Sequence, residues 1–246
     1  MTASAARPSP RRDGDDDDAA AAAGSLALHG ESALIACLPV PILHVDDHCI
    51  VAVKPAGLLS VPGRGTDGGD CLAARVQACH ADALVVHRLD MATSGLVVLA
   101  RGATAQRRLS IAFATRAVEK VYVAIVDGLV ADDAGEIDLP LSADWPNRPR
   151  QIVDRDRGKP SLTRYRVLQR DAKSGRSRVE LRPVTGRSHQ LRVHLQAVGH
   201  PIVGDALYAP AAVQAGADRL LLHAAGLQFA HPQSGAPIGF ASDVPF

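Results

Sequence analysis

His87-Arg88-Leu89-Asp90-Met91-Ala92-Thr93-Ser94-Gly95 lies between two apolar runs, Leu84 to Val86 and Leu96 to Leu99, that have the composition of central strands. His, Arg and Asp arrive together just before a Thr-Ser-Gly turn, and connections between core strands are where a rigid scaffold presents reactive groups. A turn aspartate can also do no more than cap nearby backbone amides. Working outward, Ile50 to Val53 and Val121 to Val126 read as further central strands. In Leu162 to Leu168 and Ser177 to Val184, apolar and charged residues alternate, which turns one arginine-bearing sheet face to solvent. Residues 70–79 and 103–115 have helical composition. Residues 188–198 place Leu191, Leu195 and Val198 on one stripe that ends at Gly199, ahead of Pro201. Strands outnumber helices, so the expected fold class is α+β, built around a mixed sheet.

The N-terminal residues 1–30 carry Pro8, Pro10, an aspartate run and alanines 19 to 23 without a periodic apolar face, and are expected to form a disordered acidic, Ala-rich tail. Ordered structure is expected near Leu34, with one domain over 31–246. The turn-rich stretch 144–160 is the one plausible interior boundary, or a long functional loop. Asp15 to Asp18 stand where a secretory signal needs apolar residues, and no run reaches about 18 apolar residues, so a cytoplasmic protein without a membrane span is expected. Cys37, Cys49, Cys71 and Cys79 show no paired C-x-x-C spacing and have apolar surroundings, so they read as reduced core thiols rather than zinc ligands.

The formal net charge of +1 conceals an uneven distribution. Between Asn147 and Arg192, 14 Arg or Lys face 4 carboxylates, a local excess of ten. Such a stretch suits a polyanion, although a solvated surface gives the same count. Aromatics are only 3% of the chain, so base stacking must fall on few residues or on guanidinium planes.

Three more stretches concentrate unusual residues: Val53-Lys54-Pro55-Ala56-Gly57-Leu58, Glu119 to Ala124, and Thr185-Gly186-Arg187-Ser188-His189-Gln190-Leu191-Arg192-Val193-His194. Together with His87 to Gly95 they resemble the RluA family of pseudouridine synthases from about Leu43 to Phe246. His87 to Gly95 resembles the signature around the nucleophilic aspartate, Lys54 to Gly57 the first motif, Lys120-Val121-Tyr122 the tyrosine motif, and Gly186 to His194 the basic helix motif. Asp144-Trp145-Pro146-Asn147-Arg148-Pro149 is most similar to the short dual-specificity branch, which modifies a 23S rRNA loop and the tRNA anticodon loop.

The resemblance implies a mixed, largely antiparallel sheet with flanking helices and loops around an active-site cleft. It implies isomerisation of uridine without metal, nucleotide or redox cofactor, on structured RNA (23S rRNA and tRNA stem-loops), by a monomer with no obligate protein partner. By the same resemblance Asp90 is the nucleophile, Tyr122 the active-site aromatic, Arg192 the ionic partner of Asp90, and Arg88 the residue that enters the RNA where the base leaves.

Each role makes physical sense. Conversion of uridine to its C-glycoside breaks N1–C1′, turns the base and rejoins it through C5, and a carboxylate can hold a fragment covalently meanwhile. Attack at C1′, addition at C6 and elimination at the sugar all remain open to it. A partly buried aspartate needs a cation to stay ionised. Tyr122 can stack under uracil or relay a proton through its hydroxyl. A flipped base leaves a gap, and Arg88, two residues before Asp90 and on the same side of an extended segment, can fill it. Lys54 and Arg187 are expected at phosphates, Arg187 just ahead of a helix start at Ser188 whose free amides add to an anion site. His87, His189 and His194 lack metal-ligand spacing and are expected to hydrogen-bond and order the loops, His87 and His189 on the RNA-facing side. Gly63-Arg64-Gly65-Thr66-Asp67-Gly68 fits G-x-G-x-x-G but runs on into His87 to Asp90 instead of a βαβ unit, so it reads as a loop near the cleft. A binding protein without chemistry has no use for a carboxylate facing phosphates.

Overall fold

β4 (Ser94–Arg101), the strand that follows the Asp90 turn, is buried at every position but its last in the computed structural model, which describes residues 40–63 and 69–246. A strand covered on both faces shows a continuous apolar run instead of alternation. It pairs antiparallel with β2 (Cys49–Lys54) from Cys49↔Ala100 to Lys54↔Gly95, and with β3 (Ala83–Val85). On its other side it meets β11 (Leu222–Ala230) in parallel, through Ser94↔His223 and Gly95↔Ala224 only. The ten-stranded mixed sheet runs β1 (Ile42–Val45), β2, β4, β11, β5 (Glu119–Asp127), β10 (Arg176–Pro183), β9 (Leu162–Asp171), β6 (Ala134–Asp138). β12 (Pro237–Ala241) pairs with β11, and β7 (Leu141–Ala143) with β8 (Gln151–Val153) forms a separate hairpin that spans the start of the turn-rich stretch. The α+β expectation is borne out. The tail at 1–30, Cys37 and most of the Gly63 to Gly68 motif lie outside the described residues.

Period-two alternation divides the core. Cys49, Val51, Leu96, Val98 and Ala100 pack under Ala105 and Leu109 of α2 (Gly102–Ala114), while Ile50, Ala52, Val97 and Leu99 pack on the opposite face under Leu72 and Val76 of α1 (Leu72–Cys79). In the other half, Ala124, Val126, Val179 and Leu181 bury against Leu191 and Leu195 of α3 (Gln190–Ala197). Among the described residues one short helix remains, α4 (Ala211–Gln214). Two expectations are corrected. Cys79 is an exposed thiol at the end of α1, because the helix turns that face outward, whereas Cys49 and Cys71 are buried. Val198 is the exposed C-cap of α3, whose buried set is instead Gln190 to Leu195 without a gap, because the helix is enclosed on nearly every side.

The alternating strands β9 and β10 do expose Arg164, Arg166 and Arg182 on one face. That face is less positive than the residue count implies. Arg164 pairs with Glu136 at 2.8 Å, Arg166 and Arg182 both with Glu180 at 2.9 Å, and Arg170 with Asp133 at 2.8 Å. Glu136 and Asp133 come from before residue 147, so pairing across the sheet brings in carboxylates that a linear count leaves out.

A row of residues crosses the sheet at the cleft: Gly95 on β4 faces Ala224 on β11, which faces Tyr122 on β5, which faces Leu181 on β10. Gly95 has φ +118°, and a Cβ there would be driven into the backbone of Ala224. Only glycine allows the two strands to approach this closely. Gly95→Ala is therefore expected to destabilise the protein by about 3 kcal/mol, read as a lower urea midpoint.

Next to it His223 is buried, with Nδ1 2.8 Å from the Ser94 hydroxyl and Nε2 3.1 Å from that of Ser242. Burial, and then the Arg219 charge, push its pKa down to about 4. The unfolded chain takes up this proton near pH 6.5 and the folded chain only near 4, so stability is full above 6.5 and falls as acid is added across that window. Urea titrations from pH 7 to 4.5 should show a loss of about 1 kcal/mol per pH unit attributable to this group, and His223→Gln should flatten the slope.

Candidate active site

The chain from His87 to Asp90 continues from β3 without forming a strand. Leu89 turns into the core, so Arg88 and Asp90 both face a cavity of about 540 Å³. That volume suits one nucleotide. Arg88 is exposed at its edge, and the Asp90 side chain retains 29% exposure. One opening therefore serves both residues, as the spacing predicts.

Two neighbours hold this segment. The Ser60 hydroxyl donates to the Leu89 carbonyl at 2.7 Å and accepts the Leu89 N–H at 3.0 Å. Lys54 Nζ donates to the carbonyls of Pro55, Leu58 and Met91 at 2.8, 2.7 and 3.0 Å. Lys54 is fully buried and all three ammonium hydrogens are used, so it does not reach a phosphate. The expectation of a phosphate contact is corrected: Lys54 positions the Asp90 loop. Burial pulls its pKa down to about 8, with the Asp90 charge opposing that shift.

α3 supplies the cation. Arg192 Nη1 is 3.7 Å from Asp90 Oδ2. Its tighter partner is Asp205, reached at 2.8 Å from Nε and 2.6 Å from Nη2. Asp205 is fully buried and also accepts the N–H groups of Leu207 and Tyr208. The expected ion pair between Arg192 and Asp90 is present, and the guanidinium is shared, with its paired edge on Asp205. Burial penalises the Arg192 charge, but its hydrogen bonds to Asp205 and the charges of Asp205 and Asp90 outweigh that and hold its pKa above the ordinary arginine value.

His189, with φ 54°, puts Nε2 3.9 Å from Asp90 Oδ1 while Nδ1 sits 2.6 Å from the Tyr208 hydroxyl. Burial lowers its pKa although Asp90 pulls it upward. α3 begins at Gln190, two residues later than expected, because Gln190 folds back: its Oε1 accepts from the Thr185 hydroxyl and the Arg187 N–H. The Arg187 amide is consequently satisfied within the protein, and only its exposed side chain at the cavity rim is free for phosphate.

Tyr122 lines the cavity from β5; burial and the Asp90 charge raise its pKa, so the phenol keeps its proton. His87 forms a wall, stacked on Phe113 with centroids 4.2 Å apart, and its Nε2 accepts the Val98 N–H at 3.0 Å. Burial drives its pKa to about 3, so the ring is neutral. His194 lies outside this cavity, between the Thr163 hydroxyl and the Leu139 carbonyl at 3.0 Å each. All three histidines order loops through hydrogen bonds. Elsewhere His44, Asp46 and Cys49 gather within 4.8 Å, where Asp46 receives His44 at 2.7 Å and caps the amides of His48 and Cys49.

Sequence reasoning missed Asp205, Tyr208, Lys120 and Arg116 as parts of this site. Lys120 and Arg116 line the cavity beside Phe113. Lys120 was visible beside Tyr122 in the motif, and Gly204-Asp205 in a turn after the basic helix was the available signal for the other pair.

A family model for RNA pseudouridylate synthase matches residues 48–197, a span that contains Lys54, Asp90, Tyr122 and Arg192. The chain belongs to that family. This pseudouridylate synthase is 50% identical over 205 residues to the dual-specificity RNA pseudouridine synthase RluA of Yersinia pestis, covering 83% of the chain and 99% of the relative. It is 49% identical over 205 residues to the protein of the same name from Escherichia coli K12, covering 83% and 93%. Among solved structures, human RNA pseudouridylate synthase domain containing 1 superposes with a TM-score of 0.72 at 27% identity, covering 85% of this chain and 84% of that one. The family expected from the four stretches is the family found. For the synthase, the cavity holding Asp90, Tyr122 and the Arg192 guanidinium is the place to look for chemistry.

Proposed function

We propose that the chain isomerises uridine to pseudouridine in structured RNA, with Asp90 as nucleophile, and that its substrates are the 23S rRNA loop and tRNA anticodon loop of the dual-specificity branch. The observation that carries this reading is one partly buried carboxylate, 3.7 Å from a buried guanidinium, in a nucleotide-sized cavity edged by Arg88, Arg116 and Arg187. The cations at the edge neutralise phosphates and bring the strand in. Arg88 fills the place of the flipped uridine. Asp90, with the Arg192 guanidinium 3.7 Å away, holds one fragment covalently while the base turns. C1′ exchanges its bond to N1 for one to C5, the C5 proton leaves and N1 gains one, so the atoms balance. Tyr122, protonated, offers a ring to the uracil and an O–H for that proton traffic.

The proposal takes residues 31–246 as one catalytic domain acting as a monomer in the cytoplasm without a cofactor. Among the described residues no helix is long and apolar enough to cross a membrane. The test is conversion of synthetic 23S and anticodon stem-loops by purified protein, read by pseudouridine mapping. Absence of product from both RNAs with folded protein would end the reading.

A further inference from the structure

We propose that the tip of the β7–β8 hairpin is an RNA-reading arm, in which Trp145 stacks on an unpaired base flanking the target uridine. The inference rests on the reading of the chain as an enzyme of RNA and adds the residue that grips the loop. Trp145 is the chain's only tryptophan and, at 69% exposure, the most exposed large apolar side chain among the described residues. A side chain of that size left in water contributes nothing to the core.

Its surroundings are built rather than loose. Asp144 N–H donates to the Arg150 carbonyl at 3.0 Å, Asn147 N–H to the Asp144 carbonyl at 3.1 Å, and Arg150 N–H to the Asn147 carbonyl at 3.0 Å. The Asn147 amide also clamps both Asp144 carboxylate oxygens, at 3.1 and 3.0 Å. On this fixed loop the Arg148 guanidinium lies 3.4 Å from the centroid of a Trp145 ring, covering one face. A base laid on the opposite face completes a base–indole–guanidinium stack, the arrangement by which proteins hold unpaired nucleotides. Arg150, Arg155 and Arg157 are exposed on the same arm, and cations so placed fit a phosphate backbone better than an apolar protein surface.

The arm is wired to the reacting centre. Leu141 and Val153 pack with Val193 of α3 and with Tyr208. Gln151 N–H donates to the Tyr208 hydroxyl at 2.8 Å, and that oxygen lies 2.6 Å from His189, whose other nitrogen is 3.9 Å from Asp90. A base caught on Trp145 is thereby held in fixed register with the carboxylate.

The single tryptophan supplies its own probe. Titration of wild type with a short stem-loop RNA carrying a uridine in its loop should quench the emission, and Trp145→Ala should raise KM about 10-fold with kcat within about 2-fold, while Trp145→Phe stays within about 3-fold of wild type. Emission unchanged at saturating RNA, or Trp145→Ala with wild-type KM, would overturn the arm. Quenching by a different protein but not by RNA would make it a protein-docking tip and overturn it equally. Quenching needs binding, not turnover, so RNA that quenches without being converted would remove the isomerase reading and leave the arm standing.

Discussion

Asp90→Asn should reduce single-turnover pseudouridine formation at saturating RNA by on the order of 10⁴-fold or more, with RNA affinity within about 3-fold of wild type. The amide has nearly the volume of the carboxylate and the Asp90 side chain is 29% exposed, so the fold does not depend on the change. The backbone contacts that shape the loop, from Ser60 to Leu89 and from Lys54 to Met91, do not involve the Asp90 carboxylate. Binding comes from the rim, where Arg88, Arg116 and Arg187 are exposed. A neutral amide cannot act as the nucleophile, and among the described residues no other carboxylate lines the cavity. The measurement is mixing excess enzyme with labelled stem-loop and following product with time, alongside a filter-binding titration. A rate constant within about 10-fold of wild type would reassign the nucleophile.

The same residues show where sequence suffices. β4 was legible because a strand buried on both faces must be apolar throughout, and β9 and β10 because one solvated face imposes alternation. β11 was not, since His223 and Gly226 interrupt its apolar run: the one hydrogen-bonds Ser94 inside the core, and the other lies against Val121. Asp90, Tyr122 and Arg192 were placed together correctly because they stand in motifs. Lys54 was expected at a phosphate, but three carbonyls converge on its ammonium and take all of its hydrogens inside the protein. The Arg192–Asp205 pair was invisible because its partners are joined only through the turn after α3, and nothing in the sequence orders one carboxylate over another as the owner of a guanidinium.

That pair yields the second large effect. Asp205→Ala should cost roughly 3–5 kcal/mol of stability, because it leaves the Arg192 charge buried with both of its hydrogen bonds to Asp205 unmade. Asp205→Asn is the sharper probe, since it keeps the shape and the contacts to Leu207 and Tyr208 N–H while removing the charge. In wild type the guanidinium is drawn in two directions, at 2.6 Å to Asp205 and 3.7 Å to Asp90. With the nearer carboxylate neutralised, the remaining attraction pulls Arg192 onto Asp90 and closes that gap toward an ordinary ion pair. A carboxylate clamped in this way is a poorer nucleophile, and a guanidinium about 1 Å from its working position is a displacement that can cost about 100-fold in rate. The expected signature is a fall of that size in the single-turnover constant, RNA affinity unchanged, and a smaller loss in urea stability than Asp205→Ala shows. If Asp205→Asn reacted at the wild-type rate, the 3.7 Å separation would have no part in catalysis, and Asp205 would be a structural residue alone.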